Sequence, residues 1–125
     1  MKTILIVDDD KNQLLLYEQE LSLEGYHVVT AMDGLEAVKK VKEQTPDLII
    51  MDLFIPNMNG IEAMSSILSQ RRKIPIIINT AYSGYKDNFM SWLANAYIIK
   101  SSNLNELKDT IKKLIGKIEK SDGSL

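Results

Sequence analysis

Four short runs of β-branched and aliphatic residues punctuate the chain: Ile4–Val7, Leu48–Met51, Ile76–Ile78 and Tyr97–Ile99, each nearly continuous in apolar positions rather than alternating with polar ones. Strands covered by helices on both faces read this way. The segments between them carry apolar residues at helical spacing, and strand and helix alternating at this pitch predict βαβ units around a parallel sheet with right-handed crossovers. A further strand is expected over Tyr26 to Ala31. The expected fold is an α/β doubly wound sheet of five parallel strands, order 2-1-3-4-5, flanked by five helices.

Helix by helix, Leu14, Tyr17 and Leu21 share one face of the first, which Gly25 ends. Asp33 and Glu36 resemble a capping box for the second, with Val38 and Val41 as its buried face and a stop near Thr45-Pro46. The loop from Leu53 to Asn59 contains the turn formers Pro56 and Asn57, and Gly60 opens a third helix buried through Ile61, Met64, Ile67 and Leu68. Arg71-Arg72-Lys73 solvates the turn that follows. A fourth helix starts loosely at Ser83-Gly84-Tyr85, and Phe89, Met90, Trp92 and Leu93 crowd apolar groups around it, leaving surface for a partner. The last helix is capped by Asn103 with Glu106 and repeats Leu104, Leu107, Ile111, Leu114 and Ile118. Residues 1–119 are expected to form one domain and residues 120–125 a frayed tail.

Bulk properties narrow the function. A chain of 125 residues can bury one core unaided. A net charge of −2 with interspersed Lys and Glu gives no reason to expect nucleic acid or an anionic membrane as partner. With no cysteine, disulfides and thiolate zinc sites are excluded, and the four-residue apolar run after Met1-Lys2-Thr3 is too short for a signal-peptide core or a membrane span. A cytoplasmic location is the expectation.

Asp8/Asp9, Asp52, Thr80 and Lys100 each follow an apolar run, so all project from one edge of a parallel sheet, where α/β folds place their chemistry. In the order 2-1-3-4-5, strands one and three flank the topological switch point and set Asp52 beside Asp8 and Asp9. Carboxylates converging there repel by about 4 kcal/mol per pair at 4 Å and an effective dielectric near 20, and a hard divalent cation such as Mg²⁺ relieves this. Asp10 can cap the first helix. A metal-held carboxylate can attack phosphorus, while Thr80 and Lys100 supply the hydroxyl and the cation that a phosphoryl group on Asp52 requires.

Taken in order, ILIVDDD, DLIIMDLFIPNMNGIE, PIIINTA and AYIIK resemble the receiver domain of two-component response regulators, the CheY-like family, over essentially the whole chain. The resemblance implies a single-domain phosphorylation switch. Asp52 would be the phosphoacceptor, Asp8, Asp9, Asp52 and the Phe54 backbone carbonyl would hold Mg²⁺, and Thr80 and Lys100 would contact the phosphoryl oxygens. It implies a sensor histidine kinase or phosphotransfer protein as donor, with no enzymatic activity beyond assisting its own phosphorylation and dephosphorylation. Thr80 and Tyr97 would act as switch residues, remodelling the face of helix four, strand five and the last helix toward a downstream protein. The chain would be monomeric or dimerise on phosphorylation, without direct contact to nucleic acid, since no output segment follows residue 119. Kinase pairing is expected to depend on helix one and its adjoining loops.

Departures from the family pattern carry their own expectations. The usual proline after the lysine is Ser101, and because a cis bond there costs roughly 3 kcal/mol without proline, the Lys100-Ser101-Ser102 loop is expected to be trans or strained. Helix four is expected to be short or shifted. Phe54 and Tyr82 occupy the two positions that tune phosphoryl lifetime in the family, and neither orients water well, so slow autodephosphorylation is expected. Competing readings are a pseudo-receiver binding scaffold and a haloacid dehalogenase-type phosphatase. The phosphatase is suggested by Asp8-x-Asp10, Thr80 and Lys100, but Asp109 and Asp122 fall where its second acidic pair does not fit. Flavin binding lacks its phosphate loop.

Overall fold

The computed structural model describes residues 1–70, 73–82, 84 and 94–123. Its elements in chain order are β1 (Thr3–Val7), α1 (Lys11–Leu23), β2 (His27–Ala31), α2 (Gly34–Gln44), β3 (Leu48–Met51), α3 (Gly60–Gln70), β4 (Ile76–Thr80), β5 (Ala96–Ile99) and α4 (Asn105–Gly123). The strands form one parallel sheet, order β2-β1-β3-β4-β5, as the apolar runs predict.

Side chains alternate across each strand, so the continuous apolar runs feed two cores. Leu5, Val7, Ile49, Met51, Ile76 and Ile78 pack with Ala37, Val41, Ala63, Met64 and Ile67 of α2 and α3. On the opposite face, Ile4, Ile6, Leu48, Ile50, Ile77 and Ile98 meet Leu14, Tyr17 and Leu21 of α1 and Leu104, Leu107, Ile111 and Ile115 of α4. Strands β1 and β3 are therefore buried on both sides. β2, at the edge, is only partly covered at Val28, Val29 and Thr30.

Helix boundaries follow local chemistry. Asp10 caps α1 by accepting from the amides of Asn12 and Gln13, and Asp33 caps α2 by accepting from the Glu36 amide. Thr45 closes α2 in a left-handed conformation at φ 46°, where Pro46 prevents continuation. Asn59 starts α3, its Oδ1 accepting from the Glu62 amide at 2.9 Å. Asn103 Oδ1 accepts from the Asn105 amide at 2.9 Å to open α4.

Two buried faces differ from expectation. In α2, Gly34, Ala37 and Val41 are buried while Val38 is only partly so, because the small residues let the helix approach the loop after β3. In α4 the buried stripe runs Leu107–Ile111–Ile115 at intervals of four, with Leu114 at its margin. That helix continues to Gly123, into the segment expected to fray. Four helices lie among the described residues. The expected fourth helix, with Ser83, Tyr85, Phe89, Met90, Trp92 and Leu93, lies outside them apart from Gly84, as do Arg71, Arg72 and the last two residues of the tail; the Ile118 side chain is likewise outside the description.

Candidate functional site

The site is built where β1 and β3 end side by side. Val7 pairs with Met51, the Asp52 amide donates to the Val7 carbonyl at 3.0 Å and the Asp8 amide to the Ala31 carbonyl at 3.1 Å. These bonds extend the ladder by one residue and bring the next side chains together. One carboxylate oxygen from each of Asp8, Asp9 and Asp52 lies within 4.8 Å of the others, with Asp8 and Asp52 buried and Asp9 exposed. Asp8 is only 1% accessible.

Lys100, at the end of β5, reaches across the sheet edge. Its Nζ lies 2.7 Å from Asp8 Oδ2 and 2.7 Å from Asp52 Oδ2, and it donates a hydrogen bond to the latter. Burial alone would lower the Lys100 pKa, but hydrogen bonding to Asp52 and Asp8 and the charge of both carboxylates outweigh it and raise it, keeping the side chain a fixed cation. For Asp8, desolvation prevails and raises its pKa, although Lys100 and the Asp10 amide pull the other way. Asp8 Oδ1 accepts from the Asp10 amide at 3.0 Å. Asp8 Oδ2 is buried, and beyond the Lys100 ammonium at 2.7 Å it has no hydrogen-bond partner among the described residues. A buried, incompletely satisfied carboxylate oxygen beside two others is a donor set suited to a hard divalent cation.

The loop after β3 turns sharply at this sheet edge. Asp52 Oδ1 accepts from the Phe54 amide at 3.2 Å, and the Gly60 amide donates to the Leu53 carbonyl at 3.0 Å. A Cβ on Gly60 would come within 2.4 Å of the Asp52 carbonyl oxygen, so only glycine permits this closure.

Thr80 is fully buried at the end of β4. Its Oγ1 accepts from the Tyr82 amide at 3.5 Å, a long contact, and its carbonyl accepts from the Lys100 amide at 2.8 Å. The Tyr97 hydroxyl donates to the Tyr82 carbonyl. Phe54 and Tyr82 meet edge to face, ring centroids 4.7 Å apart, although they are 46% and 56% exposed. Tyr82 thus touches both Thr80 and Tyr97 and packs on Phe54. The Lys100–Ser101 peptide is trans, since no cis bond occurs among the described residues.

Two pairings escaped the sequence reading. Asn79 Nδ2 donates to the buried Tyr17 hydroxyl at 2.9 Å, on the α1 and α4 side of the sheet. The one available signal was an amide closing an otherwise apolar strand. Asp33 Oδ2 accepts from Asn57 Nδ2 at 2.8 Å, linking α2 to the loop after β3, a contact between turns that no local pattern announces. No helix among the described residues is long and apolar enough to cross a membrane.

Comparison with known proteins agrees with this architecture. The chain is 33% identical over 120 residues to the alkaline phosphatase synthesis transcriptional regulatory protein PhoP of Bacillus subtilis, covering 94% of this chain and 50% of that one. It is also 36% identical over 124 residues to the response regulator ArlR of Staphylococcus aureus, covering 98% of this chain and 56% of the relative. The chain thus spans about half the length of these curated relatives. Among solved structures, the response regulator TrrA of Thermotoga maritima in complex with Mg²⁺-BeF superposes with TM-score 0.88 at 43% identity, covering 91% of this chain and 99% of that one. TrrA in complex with the histidine kinase ThkA gives 0.85 at the same identity, covering 91% and 98%. The family model for the response regulator receiver domain matches residues 4–112, and the chain belongs to that family.

Proposed function

We propose that Asp52 accepts a phosphoryl group from a phosphohistidine of a sensor kinase or phosphotransfer protein, and that the resulting acyl phosphate switches the surface this domain presents to a target. The reading is carried by one observation above all: Lys100 Nζ at 2.7 Å from both Asp8 and Asp52, with Asp9 completing a three-carboxylate cluster. An Asp52 oxygen attacks phosphorus, the phosphorus–nitrogen bond breaks, and the electron pair returns to the imidazole, which takes up a proton. Asp8, Asp9, Asp52 and the Phe54 carbonyl would hold Mg²⁺, which supplies the charge neutralisation that carboxylate attack on a phosphoryl anion needs. Lys100 and the Thr80 hydroxyl bind phosphoryl oxygens. Recruiting Thr80 withdraws its Oγ1 from the Tyr82 amide, and Tyr97, tied to the Tyr82 carbonyl, follows, altering the surface around β5 and α4. Exposed Leu15 on α1, grouped with Lys11 and Glu18, gives the kinase a contact surface. A histidine kinase partner and Mg²⁺ are consistent with the named complexes of TrrA.

Intact mass after incubation with acetyl phosphate tests the reading. One phosphoryl group added to wild type only with Mg²⁺, and none to Asp52→Asn, is expected. No addition to folded wild type under any condition replaces the switch with a binding scaffold.

The aromatic pair of Phe54 and Tyr82 offers no carboxylate or amide to orient an attacking water, which supports a long-lived phosphorylated state. Phosphoryl loss from wild type should be slow and should accelerate in Phe54→Asn and Tyr82→Glu. Rapid loss from wild type, unchanged in both variants, would sink this expectation.

A further inference from the structure

The loop that carries Phe54 is held at its tip by α2, and that attachment is unusually close. Asp33 divides its carboxylate between two tasks: Oδ1 accepts from the Glu36 amide at 2.7 Å to cap the helix, and Oδ2 accepts from Asn57 Nδ2 at 2.8 Å. Both contacts hold its carboxyl below the usual aspartate range, the Glu36 amide foremost. Beside it the Gly34 amide points at the Pro56 carbonyl at 3.4 Å, and a Cβ on Gly34 would lie 1.8 Å from the Met58 carbonyl oxygen. Asn57 itself sits at φ 68°, a left-handed conformation that asparagine tolerates better than other side-chain-bearing residues. Toward the sheet, Gly60 closes the same loop against the Asp52 carbonyl. Residues 53–59 are therefore pinned at their base by the sheet edge and at their tip by the first turn of α2.

We infer that the Asp33–Asn57 contact is a latch that positions the loop carbonyl for the divalent cation, making both residues positioning residues that set the affinity of the carboxylate site for Mg²⁺. A backbone carbonyl has no side-chain freedom with which to seek an ion. It binds well only if the loop already holds it in place, and a loose loop loses its conformational entropy at the binding step instead. Neither residue lies in the carboxylate cluster, so the effect passes through the loop. By linkage the cation must in turn tighten the latch and the start of α2.

The inference rests on the Mg²⁺ reading above, and the test separates the two. Asn57→Gly keeps the left-handed backbone and deletes the amide, whereas Asp33→Ser keeps a helix cap and deletes the second acceptor. Mg²⁺ affinity is measured by titration calorimetry on the full chain, with thermal unfolding of the metal-free proteins and hydrogen exchange of the amides in 53–59 alongside. Each variant should bind Mg²⁺ roughly five- to thirtyfold more weakly, the size expected when the ordering of about one residue moves to the binding step. The double variant should be no weaker than either single one, because both cut the same contact. Exchange in the loop should rise without a matching loss of global stability. Wild-type binding with affinities within twofold in both variants overturns the latch alone. No Mg²⁺ binding by folded wild type overturns the metal reading and the latch with it.

Discussion

Lys100 shows how much one side chain can hold at the sheet edge. Its ammonium is the counter-ion of two carboxylates at once, one of them fully buried, and removing one member of a buried charge group leaves the others uncompensated. Lys100→Met should lower the stability of the metal-free protein by about 2 kcal/mol, discounted for partial exposure, and millimolar Mg²⁺ should restore part of it in urea unfolding. Tyr17 is the second case. Burial raises its pKa and the hydrogen bond from Asn79 only partly opposes this, so the unfolded chain loses the phenolic proton first as pH rises. The stability contributed by neutral Tyr17 is complete below about pH 10, the unfolded value, and is lost as pH climbs through the higher folded one. Tyr17→Phe should remove that alkaline decline and cost about 1 kcal/mol at pH 7 by leaving the Asn79 amide short of an acceptor, as denaturation at pH 7 and above pH 10 will show. Asp8, Asp9, Asp52 and Lys100 were legible as neighbours because each follows an apolar run that could only be a covered strand. Tyr17 and Asn79 were not, since 62 residues separate them and nothing local ties one to the other.

Among the elements, glycines separate packing from conformation. Gly34 and Gly60 stand where a Cβ would meet backbone carbonyls, whereas Gly116 in α4 faces open space and keeps a helical backbone. Gly116→Ala should therefore raise stability by about 0.5–1 kcal/mol through helix propensity, while Gly60→Ala should cost more than 2 kcal/mol because the obstructing atom cannot move aside. Thermal unfolding of the two variants decides both. Strand positions were legible almost to the residue, because a short β-branched run covered on both faces has few other homes. Helix faces were read less well: Val38 gave way to Ala37 and Gly34, since small residues bury by close approach, which hydropathy alone does not register, and Leu114 gave way to its equally apolar neighbour Ile115, which continues the stripe from Ile111 at four residues.

At the scale of the molecule, the two cores share one sheet, and adjacent residues of β3 belong to opposite ones, Ile49 to the first and Ile50 to the second. Ile49→Ala and Ile50→Ala should each cost 2–5 kcal/mol, and circular dichroism and fluorescence should report coincident transitions in both, since neither layer can lose its side of the central strand alone. The sheet order was legible because a doubly wound parallel sheet of five strands sets strands one and three together at its switch point, whereas the span between β4 and β5, with apolar residues all around its helical wheel, gave no single face to read. The bridging ammonium described above also has a kinetic meaning. At 2.7 Å from both carboxylates, Lys100 is a tethered cation that neutralises the acidic cluster from within, so under the proposed reading an incoming divalent ion would take part in an exchange. If Mg²⁺ binds as proposed, that exchange would free the lysine for an anionic guest, so the ion would come before the phosphoryl donor.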